Sequence, residues 1–457
     1  MNSLIATIVS GVLMMFAGFT LRDKKAAVTM AQVLLVVVLG VNIWDLVHVP
    51  DGIVVPLFND MIRFERSTLI FNMLMTGCTL VYALLLGRET IRVGMHVADY
   101  FALIFFILTG TYLLSSFNNL LMLFLGIEIL SIPQYILAGV DKRNLKSSEA
   151  SLKYFLMGSF STGILLMGIT LMYGAAGSFN VFQLNFLNEA GVNVMGLAGL
   201  LLLLVAMSFK VSAAPFHIWT PDVYDGAPTP FTAYMATVGK AAAFYGFIRL
   251  FQGSFAQLSP RWVLVLSLIT ALTLLIGNLT AVFQQSVKRM LAYSSIAQAG
   301  FMLFAVMSVS DIGRQGILLY AVSYTLATIG LFAVLIKLKD YTYDGFNGLA
   351  KTHPFLAFAA TIFLFSLAGI PLTGGFMAKY WVLRAAVEQG NLMWLVIFAL
   401  LMAAVSAYYY FRVIIAMYFK EGKPEFKSDV SGMHLFMLGV TCALVILLGI
   451  MPQMLFF

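Results

Sequence analysis

The chain alternates between long apolar runs and short polar connections. Fourteen runs of about 19 residues or more are long enough to cross the roughly 30 Å hydrocarbon core of a bilayer as helices. They lie at residues 2–21, 26–44, 67–86, 97–115, 119–139, 151–175, 192–219, 229–251, 263–283, 290–309, 313–336, 354–386, 392–418 and 433–452. This pattern predicts an all-α, polytopic membrane protein with about 14 transmembrane helices.

Two stretches of five predicted spans have nearly the same length and layout. Spans four to eight cover residues 97–251, and spans nine to thirteen cover residues 263–418. The fourth span of each stretch holds a lysine beside helix-breaking residues: Lys210 precedes Pro215, and Lys379 follows the run GIPLTGG at 369–375. Because five crossings are an odd number, the second stretch enters the membrane from the opposite side. We therefore predict two inverted five-helix repeats, each with a discontinuous helix, as in many secondary transporters.

The repeats are flanked by two further parts. An N-terminal three-helix segment occupies residues 1–96, and a C-terminal transmembrane helix lies within residues 433–457. The connection at 45–66 contains Pro56 and the pair Asn59-Asp60, which favour a turn. This connection is predicted to form a short hairpin on the outer side.

Composition supports a membrane protein and explains its net charge. Apolar residues make up 61% of the chain and charged residues 10%, against about 25% charged residues in soluble domains. The net charge of +7 comes from Lys and Arg in alternate loops, with sixteen on one side and only four on the other: Arg63, Arg66, Arg261 and Arg314. This positive-inside distribution predicts that both termini face the outer side. It leaves no single basic patch, so no nucleic-acid partner is expected.

No cofactor motif is found in the sequence. Cys78 and Cys442 lie in separate apolar spans, where packing is the expected role. The sequence contains no phosphate loop, dinucleotide fingerprint, or haem or iron–sulfur ligand set. Any redox chemistry is therefore expected in another chain.

Four lysines fall inside predicted spans: Lys153, Lys210, Lys240 and Lys379. A charged lysine at the centre of a transmembrane helix costs roughly 2.5–3.5 kcal/mol, so these residues are candidates for moving charge. The alternative for Lys210, Lys240 and Lys379 is a buried ion pair. For Lys153, which follows the polar run DKRNLKSSEAS, the alternative is a position near the inner headgroups.

Glu128 and His217 are the other candidate titrating residues. Glu128 is the only acid in the span 119–139 and is expected to pair with a lysine or, alternatively, to stay neutral and hydrogen-bonded. His217 follows the break in the seventh span and is a candidate proton relay, with structural hydrogen bonding as the alternative.

Structural roles are expected for several other polar residues. Asp222 and Asp225 lie among prolines, where capping or turn formation is the usual role. Gln298, in the tenth span, is a buried amide that needs partners. Three arginines near span ends are expected to reach the membrane interface: Arg249, Arg384 and Arg412.

Long motifs carry a family resemblance. The run PFHIWTPDVYDGAPTPFTAYMATVGKAAAF at 215–244 resembles the central motif of the antiporter-like membrane subunits of respiratory complex I. Those subunits are similar to Mrp-type cation/proton antiporters. Within the group, VYDGAPTP at 223–230 and EASLKYFLMGSFSTGILLMGITLMYGAAGS at 149–178 resemble subunit N of NADH:quinone oxidoreductase. The similarity continues through KRMLAYSSIAQAGF at 288–301 and GIPLTGGFMAKYWVL at 369–383, and so covers nearly the whole chain.

The resemblance implies roles for five positions. Glu128 is similar to the fifth-helix glutamate that pairs with the key lysine of the seventh helix, here Lys210. Lys153 resembles the sixth-helix lysine, Lys240 the connecting lysine of the eighth helix, and Lys379 the twelfth-helix lysine linked to one side of the membrane. In the family these residues form part of a horizontal polar axis. Gln298 departs from the histidine common in N subunits, which argues against a titrating role for that helix.

The resemblance also implies a setting and a mechanism. It implies a proton-translocating subunit of a bacterial NADH:quinone oxidoreductase in the inner membrane, surrounded by lipid and other membrane-arm subunits. NADH, FMN, iron–sulfur clusters and quinone are then expected in the partner subunits, with no cofactor or metal in this chain. A shift in the interaction of Glu128 with Lys210 would pass a proton by way of Lys240 toward Lys379.

Two alternative functions stay open at this stage. The first is a subunit of an Mrp-type cation/proton antiporter, which shares the repeat and the buried lysines. The second is a structural membrane-arm subunit that does not itself pump.

Overall fold

The computed structural model describes residues 2–21, 23–49, 53–184, 187–188 and 191–455. These residues form eighteen α-helices. In chain order they are α1 Asn2–Thr20, α2 Lys24–His48, α3 Arg66–Leu86, α4 Val97–Ser116, α5 Leu120–Ala138, α6 Leu145–Ala176, α7 Val194–Lys210, α8 Trp219–Gly226, α9 Thr229–Tyr234, α10 Lys240–Gly253, α11 Ser259–Val282, α12 Val287–Met307, α13 Asp311–Leu335, α14 Leu349–Thr352, α15 Pro354–Ala368, α16 Gly374–Glu388, α17 Met393–Phe419 and α18 Gly432–Ile450.

Two small antiparallel strand pairs lie between helices. Strands β1 (Val55–Leu57) and β2 (Ile62–Phe64) pair with Pro56 opposite Arg63, which confirms a hairpin in the connection at 45–66. In its turn, Asp60 accepts hydrogen bonds from Arg63 at 2.5 and 2.6 Å, and these bonds hold the pKa of the Asp60 carboxyl below its usual range. Strands β3 (Leu187–Asn188) and β4 (Gly191–Val192) form the second pair.

Eleven helices in the described ranges are long and apolar enough to cross a bilayer. The three other predicted spans contain shorter helical pieces: α7 in the seventh, α9 with α10 in the eighth, and α15 with α16 in the twelfth. Helix α8 begins only at the last residue of the seventh predicted span, 192–219. The residues between these pieces are 211–218 for α7 and α8 and 369–373 for α15 and α16, while a π-helical turn, Met235–Gly239, joins α9 to α10. The chain is therefore an all-α, multi-pass membrane protein, and the count of fourteen spans stays a prediction.

Helices α12 and α13 lie at the centre of the bundle. The apolar window of α13 is buried along its whole length, and that of α12 is 94% buried. Helix α13 packs against α3, α15, α16 and α18, whereas α1, α2, α6, α11 and α17 expose apolar side chains on the outside. A lipid-facing shell thus surrounds a core into which polar groups can be placed away from lipid.

Two glycines allow close crossings at comparable places in the two predicted repeats. A Cβ atom at Gly110 of α4 would lie 2.6 Å from the backbone nitrogen of Leu130 in α5, and one at Gly277 of α11 would lie 2.6 Å from the backbone nitrogen of Ala297 in α12. These helix pairs are the fourth with the fifth predicted span and the ninth with the tenth. The repeat itself stays a prediction.

Arg249 corrects one expectation. Its side chain is only 9% exposed, donates a 2.7 Å hydrogen bond to the carbonyl oxygen of Phe117, and lies 3.4 Å from the Glu65 carboxylate. It is thus held inside the bundle rather than extended to water.

Both cysteines are buried and free, as the packing role predicts.

A buried ion pair joins the N-terminal helices to the second half of the chain. Lys337, just after α13, lies 2.5 Å from Glu89, just after α3, and both side chains are less than one-tenth exposed. Lys337 also donates to Ser428 Oγ at 3.3 Å, and Arg92 lies 3.4 Å from the same glutamate. Removing one member of such a pair leaves the other charge buried and unpaired.

We expect Glu89→Ala to destabilise the protein by about 3–5 kcal/mol, the usual effect of breaking a buried pair. The exposed pair of Lys339 and Glu425, at 3.2 Å, is the matched control, and Glu425→Ala should cost less than about 1 kcal/mol. Thermal unfolding midpoints of the purified protein in one detergent measure both. Equal shifts for the two variants would contradict the assigned role of the buried pair.

Candidate functional site

Lys210 is the last residue of α7, directly before the first helix break. Its Nζ atom donates hydrogen bonds to Ser131 Oγ at 3.0 Å and to Tyr135 OH at 3.3 Å, both on α5. Across the break, Trp219 Nε1 donates to the carbonyl oxygen of Phe209 at 3.2 Å and so satisfies one of the carbonyls that a helix end leaves free. The break thus places a lysine against hydroxyl groups inside the protein.

The predicted ion pair between Glu128 and Lys210 is not formed directly. Glu128 accepts a 2.7 Å hydrogen bond from Thr162 Oγ1, and no contact within 4.0 Å joins it to Lys210 in the described part of the chain. Glu128, Ser131 and Tyr135 are spaced three and four residues apart on one face of α5, so the serine lies one turn from the glutamate. The two charges therefore interact across this turn, without a salt bridge.

Lys240 begins α10, immediately after the π-helical turn. It is 3% exposed, and its Nζ atom donates to the carbonyl oxygen of Ser295 at 3.0 Å and to Ser295 Oγ at 3.1 Å, both on α12. The Nζ atom also lies 5.7 Å from the centre of the Tyr224 ring. Single π-helical turns inside α-helices often mark functional positions.

Lys379 lies at the second helix break. It is 7% exposed, and its Nζ atom donates to the carbonyl oxygens of Leu367 and Ala368 at 2.9 Å each, the last two residues of α15. Gly369 ends that helix with a φ of 87°, and a Cβ atom there would lie 2.9 Å from Lys379 Cδ. Only a glycine gives both this conformation and this space.

Gln298 connects the surroundings of Lys240 and Lys379. It lies one turn after Ser295 on α12, and its Nε2 atom donates to the carbonyl oxygen of Leu367 at 2.8 Å, the same oxygen that Lys379 contacts. Nε2 also donates to Tyr410 OH at 3.1 Å, and Tyr320 OH donates to Oε1. The buried amide therefore has partners on both sides, as expected, and holds the break in place without titrating.

A small cavity lies between Lys210 and Lys240. Its volume is about 20 Å³, and both lysines line it together with Ser131 and Gln134 of α5. A cavity of about 10–15 Å³ or more can hold one water molecule when polar partners are present. The partly buried Lys210 and the buried Lys240 therefore share one space.

Lys153 lies in a different environment. Its side chain is 41% exposed, and its Nζ atom lies 2.7 Å from Glu149 and 2.8 Å from Asp222. Arg289 lies 3.0 Å from Asp222 and 3.9 Å from Asp225. The expectation that Asp222 has only a capping or turn role is wrong, because this residue joins α6 to α12 through two ion pairs.

His217 and Lys288 complete the polar groups near the first break. His217 lies within residues 211–218, its Nδ1 atom has no hydrogen-bond partner among the described residues, and it does not line the cavity between the lysines. Its relay role stays a prediction. Lys288, which sequence reasoning missed, is 5% exposed and donates to the carbonyl oxygens of Asp225 and Ala227 at the end of α8. It stabilises that helix end.

Together, the fold and these contacts define a class of protein. It is a multi-pass helical membrane protein in which two broken helices hold lysines inside the bundle, an arrangement typical of proteins that move charge across membranes. A family model described as "NADH:quinone oxidoreductase/Mrp antiporter, TM" matches residues 117–406. The chain belongs to this family.

Relatives support the assignment over the full length. A protein of Cytophaga hutchinsonii named NADH-quinone oxidoreductase subunit N is 38% identical, with 100% of this chain and 98% of the relative covered. A protein of the same name from Trichlorobacter lovleyi is 40% identical, with 88% of this chain and 84% of the relative covered. The resemblance seen in the motifs is thereby confirmed.

Solved structures agree with the fold. A chain of respiratory complex I from Thermus thermophilus is 30% identical with a TM-score of 0.84, and the match covers 98% of this chain and 97% of that one. A chain of the Mrp complex from Dietzia has a TM-score of 0.87 with 100% and 96% covered, but at 20% identity this likeness concerns the fold alone.

We expect Gln298→Leu to destabilise the protein by about 1–3 kcal/mol, because it leaves the buried hydroxyl of Tyr320 without its acceptor. Gln284→Leu is the control, since that amide, two residues after α11, donates to the carbonyl oxygen of nearby Thr280 and should change stability by less than about 0.5 kcal/mol. Unfolding midpoints of the two variants in detergent provide the measurement. A Gln298→Leu protein as stable as the control would contradict the bonding described.

Proposed function

We propose that the chain is a proton-translocating, non-redox membrane subunit of a bacterial NADH:quinone oxidoreductase. One observation carries the proposal: Lys210, Lys240 and Lys379 are held inside the bundle at two helix breaks and one π-helical turn, with no carboxylate within 4.0 Å in the described residues. A buried lysine without a direct counter-ion can exist with or without its proton. The three are therefore suited to load and release protons.

The proposed path runs across the middle of the bundle. A proton passes from Lys210 through the shared cavity to Lys240, and from there along α12 past Ser295 and Gln298 to Lys379. Glu128 biases the first step electrostatically from one helix turn away. Moving one charge against 100 mV costs roughly 2.3 kcal/mol. The neighbouring subunit must supply this free energy by changing the interaction of Glu128 with Lys210. Lys153 and His217 are proposed to titrate beside this path, near the first break.

The partners follow from the names of the relatives. NADH-quinone oxidoreductase subunit N belongs to an enzyme of several subunits, so NADH, FMN, iron–sulfur clusters and quinone are proposed to bind in other chains. The chain is proposed to lie in the bacterial inner membrane beside other membrane-arm subunits, with both termini on the outer side. Two inverted five-helix repeats, 97–251 and 263–418, are proposed to build the path.

We expect Lys240→Met to lower NADH-driven proton uptake by roughly tenfold or more, because a proton-transferring group commonly contributes a factor of 10²–10⁴. Lys339→Met is the matched control, since that side chain is 58% exposed and pairs with Glu425, and it should pump normally. Inverted membrane vesicles containing the assembled complex provide the measurement. Full pumping by an assembled Lys240→Met complex would favour a purely structural subunit.

Purification of the protein under mild detergent conditions distinguishes this function from that of an Mrp-type antiporter. Co-purification with flavin and iron–sulfur subunits is the expected result. A complex that lacks them and exchanges Na⁺ for H⁺ would instead indicate an Mrp-type antiporter, whose fold this chain shares.

A further inference from the structure

Gln134 of α5 is a buried amide with one unused donor group. The residue is 3% exposed, and its Oε1 atom accepts a 2.7 Å hydrogen bond from Tyr154 OH. Its Nε2 atom has no hydrogen-bond partner among the described residues. A buried donor left without an acceptor costs about 1–3 kcal/mol, so an acceptor is expected beside it.

The unused donor borders the cavity between the two lysines. Gln134 lines this space of about 20 Å³ with Lys210, Lys240 and Ser131. The volume suits one water molecule, and such a water needs two to four polar partners. The titratable side chains that face the cavity are Tyr154, Tyr224, Lys210 and Lys240.

We infer that Gln134 is a positioning residue whose Nε2 group holds one water molecule between Lys210 and Lys240, and that this water passes the proton between them. The inference rests on the proposed proton translocation. The inference assigns a role to Gln134, which neither lysine contacts directly in the described structure. It also explains why a buried amide lies at this position.

The orientation of the water follows from its partners. One lone pair of its oxygen accepts from Gln134 Nε2, which leaves the second lone pair to accept from the protonated Lys210. Its own O–H group is then free to donate to the neutral amine of Lys240. When the Lys210 N–H bond breaks, its proton binds the water oxygen while a water proton forms the new N–H bond at Lys240. The water is regenerated, and one positive charge has moved from one lysine to the other.

The amide is held by the first helix break. Tyr154 stacks on Trp219, the first residue of α8, with ring centres 4.5 Å apart and planes 9° apart. Because Tyr154 OH occupies Oε1 of Gln134, the other end of the amide faces the cavity. A movement of α8 against α6, which carries Tyr154, would shift this stack and, with it, the water site.

Gly239 provides the space that the amide needs. It is the last residue of the π-helical turn before Lys240, and a Cβ atom there would lie 2.1 Å from Gln134 Nε2. A side chain at this position would push the amide out of place. Gly239 thus offers a second way to disturb the water site without touching a lysine or Gln134.

The first test uses two substitutions in the assembled complex, with NADH-driven proton uptake measured in inverted vesicles. Gln134→Met keeps the size but has no donor, and should lower uptake at least about fivefold, the factor that corresponds to a hydrogen bond of about 1 kcal/mol. Gln134→Glu donates only while its carboxyl is protonated. Its uptake should therefore match the unsubstituted complex at low pH and fall below it as the pH rises.

The outcomes separate the inference from the proposed function. Normal uptake by Gln134→Met, in a complex where Lys240→Met has lost uptake, would overturn the water site and leave proton translocation standing. Normal uptake by Lys240→Met would overturn the function itself. Where Gln134→Met does not assemble, the pH profile of Gln134→Glu decides, and a profile parallel to that of the unsubstituted complex overturns the inference.

The second test uses a matched pair of glycines in one helical segment. Gly239→Ala should reduce uptake about as much as Gln134→Met. Gly246→Ala, two turns further along, is the control, because a Cβ atom there meets Leu114 at an ordinary 3.5 Å. Equal uptake by the two alanine variants would contradict the proposed role of Gln134.

Discussion

The burial of lysine in a membrane protein depends on finding acceptors for its N–H groups, and the rest of this structure follows from that need. A charged lysine at mid-membrane costs roughly 2.5–3.5 kcal/mol, whereas each hydrogen bond to a charged group returns about 1.5–3 kcal/mol. Two carbonyl contacts, as at Lys379, are therefore enough to offset the cost. Helix breaks provide these carbonyls, since a helix end leaves its last C=O groups free.

The same need explains the arrangement of the core. Helix α12 lies at the centre because it contacts Lys240 through Ser295 and the surroundings of Lys379 through Gln298, one turn apart. Lys210, Lys240 and Lys379 thus alternate with hydroxyl, amide and carbonyl groups that do not titrate. Neutral partners of this kind hold a charged lysine less tightly than a direct salt bridge does. The ion pairs of Lys153, Asp222 and Arg289 lie beside this row, near the first break.

Much of this could be predicted from sequence because membrane helices and their breaks are local properties. Apolar run length predicted the helices, Pro215 and the run at 369–375 predicted the two breaks, and the cost of burial identified Lys210, Lys240 and Lys379. The spacing of Glu128, Ser131 and Tyr135 on one face of α5 was a readable signal for the partners of Lys210. The contacts of Ser295, Gln134 and the Leu367 carbonyl were not predictable, because they depend on how distant helices pack. The prediction that Glu128 pairs directly with Lys210 was wrong for the same reason. Lys210 contacts Ser131, one helix turn from Glu128, so the two charges interact over a longer distance than a salt bridge.

We propose that protons pass between Lys210, Lys240 and Lys379 through the middle of the bundle. The most direct measurement is a density map of the assembled complex at a resolution that shows single water molecules. We expect ordered water between Lys210 and Lys240 and along the hydroxyl-lined side of α12 toward Lys379. A dry gap of packed side chains between Lys240 and Lys379 would contradict it.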